Sequence, residues 1–131
     1  MKLHHIGIAV ADLEDSRRFY RDVLGLKVGE PEELPDRKLC ICFVQAGETA
    51  IELLFPTDPE SPVGKFLAQR GPGIHHLCYQ VDDLQKKLDD LQAQGVRLLD
   101  QKPRPGAHDQ LVAFLHPASS GGVLTELCQP T

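Results

Sequence analysis

The chain says nearly the same thing twice. "LHHIGIAVADLEDS" at residues 3–16 and "IHHLCYQVDDLQKK" at residues 74–87 superpose at an offset of 71 positions, which lays His4, His5, Val10, Asp12 and Leu13 on His75, His76, Val81, Asp83 and Leu84. A core asks for apolar residues at such places but has no use for repeated histidines. Phe43 maps onto Phe114 at the same offset, and "ELLFP" from Glu52 rhymes with "ELCQP" from Glu126 at an offset of 74. The three extra residues fit in the "HPASSGG" turn, where insertion costs little. A period this long is no solenoid. One module has been duplicated.

Periodicity says what the module is. Residues 4–10 alternate as a strand, with His5, Gly7 and Ala9 on one face and His4, Ile6, Ile8 and Val10 on the other. Asp12 then reads as a helix N-cap with Asp15 three residues on, Leu13, Arg17, Tyr20 and Leu24 keep helical spacing, and Gly25 is the stop. A short strand is predicted over 26–29, then the loop "EPEELPDR", then strands over 38–46 and 49–55. The connector "FPTDPESPVGKFLAQRGPG" carries Pro56, Pro59, Pro62 and Pro72 and one short helix near 63–69. The pattern restarts with a strand over 74–81 and a helix capped by Asp82 or Asp83, with Leu84, Leu88 and Leu91 on one face and Gly95 as its stop. Strands over 96–99, 110–115 and 123–128 complete it. The fold class is α+β, as two tandem βαβββ modules at about residues 3–56 and 74–130.

Size and composition bound the rest. A chain of 131 residues is read as a single domain, residues 1–131, with room for a sizeable core. A formal charge of −5 argues against a nucleic-acid partner. "MKLHHIGIAV" is too short and polar for a secretory signal, and no apolar run reaches membrane-spanning length, so no membrane association is expected. Cys40, Cys42, Cys78 and Cys128 show no CxxC pairing and sit in strand-like apolar runs, where a free thiol packs as a small hydrophobe. A reducing, cytoplasmic setting is expected.

Each module offers one His on its first strand and one Glu on its last: His5 with Glu52, and His76 with Glu126. Strand parity selects the second histidine of each pair, because His5 shares its face with small residues and His76 shares one with Cys78 and Gln80. A charged Glu inside "AIELLF" or "VLTELC" is costly to bury unless it is paired or bound to metal. Two imidazoles and two carboxylates suit a divalent transition ion such as Co²⁺, Zn²⁺, Ni²⁺, Mn²⁺ or Fe²⁺. For any one of the four, a core histidine or an outward-pointing glutamate on an edge strand is an equal alternative. Four residues at matching places in two repeats weigh against it.

The stretches "HIGIAVADL", "IELLFP", "GIHHLCYQVDDL" and "FLHPASSGGVLTEL" resemble the vicinal oxygen chelate superfamily. Within it, "SPVGKFL", "PGAH" and "FLHP…GGVLTEL" are most similar to the methylmalonyl-CoA epimerase family, and the likeness spans essentially the whole chain. That resemblance implies that the two modules form one curved mixed β-sheet cleft with helices on the outside. It also implies one divalent metal ion per subunit, held by His5, Glu52, His76 and Glu126. The Glu52 position is Gln in some relatives. The implied activity interconverts (R)- and (S)-methylmalonyl-CoA by α-proton abstraction through a metal-stabilised enolate, with Glu126 and Glu52 as catalytic residues. A small-molecule acyl-CoA substrate and a homodimer follow from the same likeness. None of Lys38, Lys65, Arg97, Lys102 and Arg104 is assigned to coenzyme A.

In one respect the chain departs from the family. Some bacterial epimerases carry a catalytic Glu on the strand matching "KLCICFVQAG", which here has no carboxylate. Either a ligand glutamate doubles as base or another group such as His108 substitutes, while His116 is read as structural or at the cleft rim. Three alternatives use the same scaffold: a glyoxalase I-like lactoylglutathione lyase, an extradiol dioxygenase, and a non-catalytic binding module.

Overall fold

Alternation at the start of the chain produces strand β1 (Lys2–Ala9), and the same pattern produces β6 (Gly73–Gln80). The protein is described by a computed structural model of residues 1–131, which separates into a first unit, His5–His75, and a second, Met1–His4 with His76–Thr131. After β1 come α1 (Leu13–Arg18), β2 (Lys27–Val28), β3 (Glu32–Leu34), β4 (Leu39–Ala46), β5 (Thr49–Pro56) and α2 (Pro62–Arg70). After β6 come α3 (Leu84–Ala93), β7 (Arg104–Pro105), β8 (Leu111–Leu115) and β9 (Thr125–Gln129). No helix is long and apolar enough to cross a membrane.

Within the first unit β1 runs parallel to β5, with Gly7 opposite Glu52 and Ala9 opposite Leu54. β5 pairs antiparallel with β4, which sets Phe43 opposite Glu52, and the far edge of β4 takes β2 and β3. The second unit repeats this plan. β6 runs parallel to β9 with Cys78 opposite Glu126, β9 pairs antiparallel with β8 with Glu126 opposite Phe114, and β7 closes the edge of β8. The α+β class with a mixed sheet is as expected.

The period of two divides each sheet into a core face and a second face. In the first unit Val10, Cys42, Val44 and Leu53 pack with Ile8, Ile51 and with Leu13 and Tyr20 from the helical segment. In the second, Val81, Ala113, Leu115 and Leu127 pack under Leu84 and Leu88 of α3. Both helices start where expected: Asp12 accepts from the Asp15 backbone N–H at 3.0 Å, and Asp83 accepts from that of Lys86 at 3.1 Å. The connector helix is capped by Ser61, which accepts from the Gly64 N–H at 3.1 Å. A Cβ on Gly64 would stand 2.5 Å from the Pro59 carbonyl oxygen, so only glycine lets that turn close.

The structure corrects three details and explains a fourth. The first helix does not run evenly to Leu24: residues Phe19–Val23 form a π-helical turn, closed by the Leu24 N–H donating to Phe19 O at 3.0 Å. One extra residue in a turn rotates the residues beyond it by about 100°, and Leu24 is accordingly exposed. Arg17, at an apolar spacing, is buried by its bonds to the Glu14 carboxylate (2.8 Å) and the Gly29 carbonyl (3.0 Å). Part of the loop "EPEELPDR" is strand β3, an acidic edge strand of the kind that discourages further pairing. No strand forms over 96–99; a single bridge joins Leu98 to Leu115. There the Asp100 carboxylate takes the Phe114 N–H at 2.8 Å in place of a ladder carbonyl, and β7 becomes the partner of β8 instead.

Leu88 is fully buried at the centre of the second unit's core. Leu88→Ala is expected to lower the unfolding free energy by about 2–5 kcal/mol, read from the urea midpoint at unchanged slope.

Candidate metal centre

On the face of each sheet turned away from α1 or α3, the repeat sets a histidine beside a glutamate. In the first unit His5 Nε2 lies 3.5 Å from Glu52 Oε1, and in the second His76 Nε2 lies 3.3 Å from Glu126 Oε1. All four side chains are buried: His5 and Glu52 expose 5% and 8% of their surface, His76 and Glu126 4% and 5%. A phenylalanine braces each imidazole edge to face. The Phe43 centroid is 6.3 Å from that of His5 at 84°, and Phe114 is 5.8 Å from His76 at 76°. The brace follows from register, because Phe43 is opposite Glu52 and Phe114 is opposite Glu126.

The other histidines have further partners. His4 accepts a hydrogen bond at 2.9 Å from the Gln110 amide. His75 meets Phe66 of α2 edge to face at 5.0 Å. His116 caps a short 3-10 turn, its Nδ1 accepting from the Ala118 N–H at 3.0 Å, so its role is structural. His108 is exposed on another such turn, in the left-handed region at φ 56°.

Each donor pair, taken by itself, fits a divalent cation. A charge-assisted hydrogen bond is usually ~2.7–2.9 Å, and both Nε2–Oε1 separations are longer. Two ligand atoms each at ~2.1 Å from one ion stand roughly 3.0–3.4 Å apart in octahedral or tetrahedral geometry. The hard carboxylate with borderline imidazole is a set that first-row divalent ions accept. Burial adds to the fit, since a carboxylate withdrawn from water needs a compensating positive charge.

All four cysteines are free thiols. Cys78 and Cys128 lie on the same face as His76 and Glu126 and pack with Val112. The Cys128 thiol, burial and the Glu126 charge together push the Cys78 thiol well above the ordinary range. Burial pushes Cys42 up as well, against the pull of Arg17. They belong to the core, as their strand positions indicated.

The sequence profile of the Glyoxalase/Bleomycin resistance protein/Dioxygenase superfamily matches residues 4–114. The chain belongs to that superfamily. Among the superfamily proteins it resembles is the mitochondrial methylmalonyl-CoA epimerase of Bos taurus, 43% identical over 129 residues that cover 98% of this chain and 74% of the relative. The ethylmalonyl-CoA/methylmalonyl-CoA epimerase of Cereibacter sphaeroides is 43% identical over 131 residues, covering 98% of this chain and 97% of its own. A substituted methylmalonyl-CoA epimerase of Streptomyces coelicolor, solved in complex with 2-nitronate-propionyl-CoA, superposes with a TM-score of 0.93 at 34% identity, covering 100% of this chain and 95% of that one. A lactoylglutathione lyase of Haemophilus influenzae is more distant, at 30% identity over 117 residues, 88% of this chain and 84% of the lyase.

Burial and raised thiol values carry a test. Cys42, Cys78 and Cys128 are expected to resist a thiol reagent in native protein at pH 8, with Cys40 the first to label, and all four are expected to label after unfolding. Fast native labelling of Cys78 would contradict the packing described.

Proposed function

We propose that the protein is a divalent-metal-dependent methylmalonyl-CoA epimerase, and that His5, Glu52, His76 and Glu126 together hold one ion per subunit. The observation that carries this reading is the pair of equivalent, buried His–Glu couples in a chain so similar to epimerases along its full length. The two repeats then act as one domain, which belongs in the cytoplasm as a homodimer.

The reaction removes a proton from the carbon between a thioester and a carboxylate and returns one to the opposite face. A divalent ion, when bound, supplies Lewis-acid stabilisation of the negative charge that develops on the thioester oxygen. The chain's own residues move the proton. The Glu126 carboxylate takes it from one face, and Glu52, protonated when it is off the ion, delivers one to the other. A turnover leaves Glu126 protonated and Glu52 ionised, exchange with solvent resets both, and in the reverse direction the two exchange roles. The phenylalanine beside each imidazole limits ring rotation, which keeps the ligand atom in place without a conformational search at each cycle. Burial of the four side chains keeps bulk water off the reacting carbon, so protons pass by way of the carboxylates, which exchange with solvent between turnovers.

The test follows the α-hydrogen of methylmalonyl-CoA in D₂O by NMR. Protein reconstituted with Co²⁺ is expected to wash deuterium into the α-position while interconverting the two epimers, and chelation is expected to abolish both until metal is restored. Glu126→Gln is expected to slow exchange by about 10²–10⁴-fold. Undiminished exchange in that variant would remove Glu126 as a base, and lactoylglutathione formation without epimerisation would remove the epimerase reading.

A further inference from the structure

An acyl-CoA substrate is strongly anionic, yet the His–Glu faces themselves carry carboxylates. The sequence offers scattered cations, and the structure separates them. Lys38 and Lys86 are ion-paired with Asp58 at 3.2 Å and Asp90 at 3.3 Å, as Arg104 is with Asp100 at 3.3 Å, but Lys86 lies on α3, which covers the opposite side of the sheet. On strands β6 to β9 the basic residue, histidines aside, is Arg104.

Arg104 lies opposite Val112, and Val112 shares its face with Phe114. Its guanidinium carbon is 5.6 Å from the centroid of the Phe114 ring. That ring braces His76, whose Nε2 is beside Glu126. The Asp100 Oδ2 atom that accepts the Phe114 N–H at 2.8 Å also accepts from Arg104 Nε at 3.3 Å. One carboxylate therefore fixes both the strand bearing Phe114 and the guanidinium over it. The Arg104 side chain is still 50% exposed. Stacking and tethering pre-organise the planar fork for an oxyanion, so little rotamer freedom is lost on binding.

The repeat supplies an internal comparison. Glu32 lies opposite Ile41 as Arg104 lies opposite Val112, and Ile41 and Val112 are themselves 71 positions apart. The same edge place holds an acid in one module and a base in the other. Folding of the module does not ask for a cation there.

We propose that Arg104 binds an anionic oxygen group of the acyl-CoA substrate, either the acyl carboxylate or a phosphate of the coenzyme. The proposal rests on the epimerase reading above. Steady-state kinetics and calorimetric binding of wild type, Arg104→Gln and Arg104→Lys test it on two substrates, methylmalonyl-CoA and the methylmalonyl thioester of pantetheine, which keeps the carboxylate and lacks the phosphates. For Arg104→Gln, KM and Kd for methylmalonyl-CoA are expected to rise by about ten- to a hundredfold, as for loss of a charged hydrogen bond, and Arg104→Lys is expected to recover part of the loss. A rise on both substrates assigns the carboxylate; a rise on the coenzyme A thioester alone assigns a phosphate. Unchanged KM and Kd on both, or a fall in kcat at unchanged KM, overturns the proposal, the second because Arg104 would then act through Phe114 on His76. A wild type that binds methylmalonyl-CoA through Arg104 without turning it over defeats only the epimerase reading. A wild type that neither binds nor turns it over defeats both.

Discussion

A carboxylate buried in a β-sheet needs a compensating charge, and this chain places one in each of its two repeats. Glu52 and Glu126 sit on the second or central residues of apolar strands, where burial without a partner would cost several kcal/mol. The pairing histidine is supplied by the neighbouring parallel strand, and the phenylalanine by the neighbouring antiparallel one. Each module is thus a three-strand frame, and its register decides which side chains meet. A slip of one residue in β5 or β9 would turn the glutamate into the helix-side core and a leucine toward the histidine. The helix-side cores of Leu53, Leu127 and their neighbours guard against that slip.

Much of this was legible because a strand has a period of two. The alternation around His5 and His76 picked out in each pair a histidine that meets a glutamate, and an offset of 71 residues tied the two copies together. Legibility ended where the determining partner was a side chain far along the chain. Gln110 bonds His4 from the far end of the chain, and the Asp100 carboxylate replaces a strand that local hydrophobicity favoured at Val96 to Leu99. Arg17 is the same kind of case. Its place on an apolar helical face signalled burial, but only the fold shows the Gly29 carbonyl that accepts from it. Strand β3 has no apolar alternation to announce it, and its pairing comes from the free edge of β4.

The duplication is close but not complete, and the differences carry information. Gly7 stands where the second module has Cys78, Leu54 where it has Cys128, and Glu32 where it has Arg104. The frame of His, Glu and Phe is kept in both. Under the proposed function, what is shared serves the metal, and what differs is available for an asymmetric substrate, which presents a thioester on one side and a carboxylate on the other.

The central claim is that the two His–Glu pairs serve one ion rather than two. Titration of metal-free protein with Co²⁺, followed by calorimetry and by the visible absorption of the bound ion, addresses it directly. The account requires one ion per chain, with affinity falling by at least about tenfold in His5→Ala and in His76→Ala alike. Two ions per chain, with each substitution abolishing one and leaving the other intact, would contradict it.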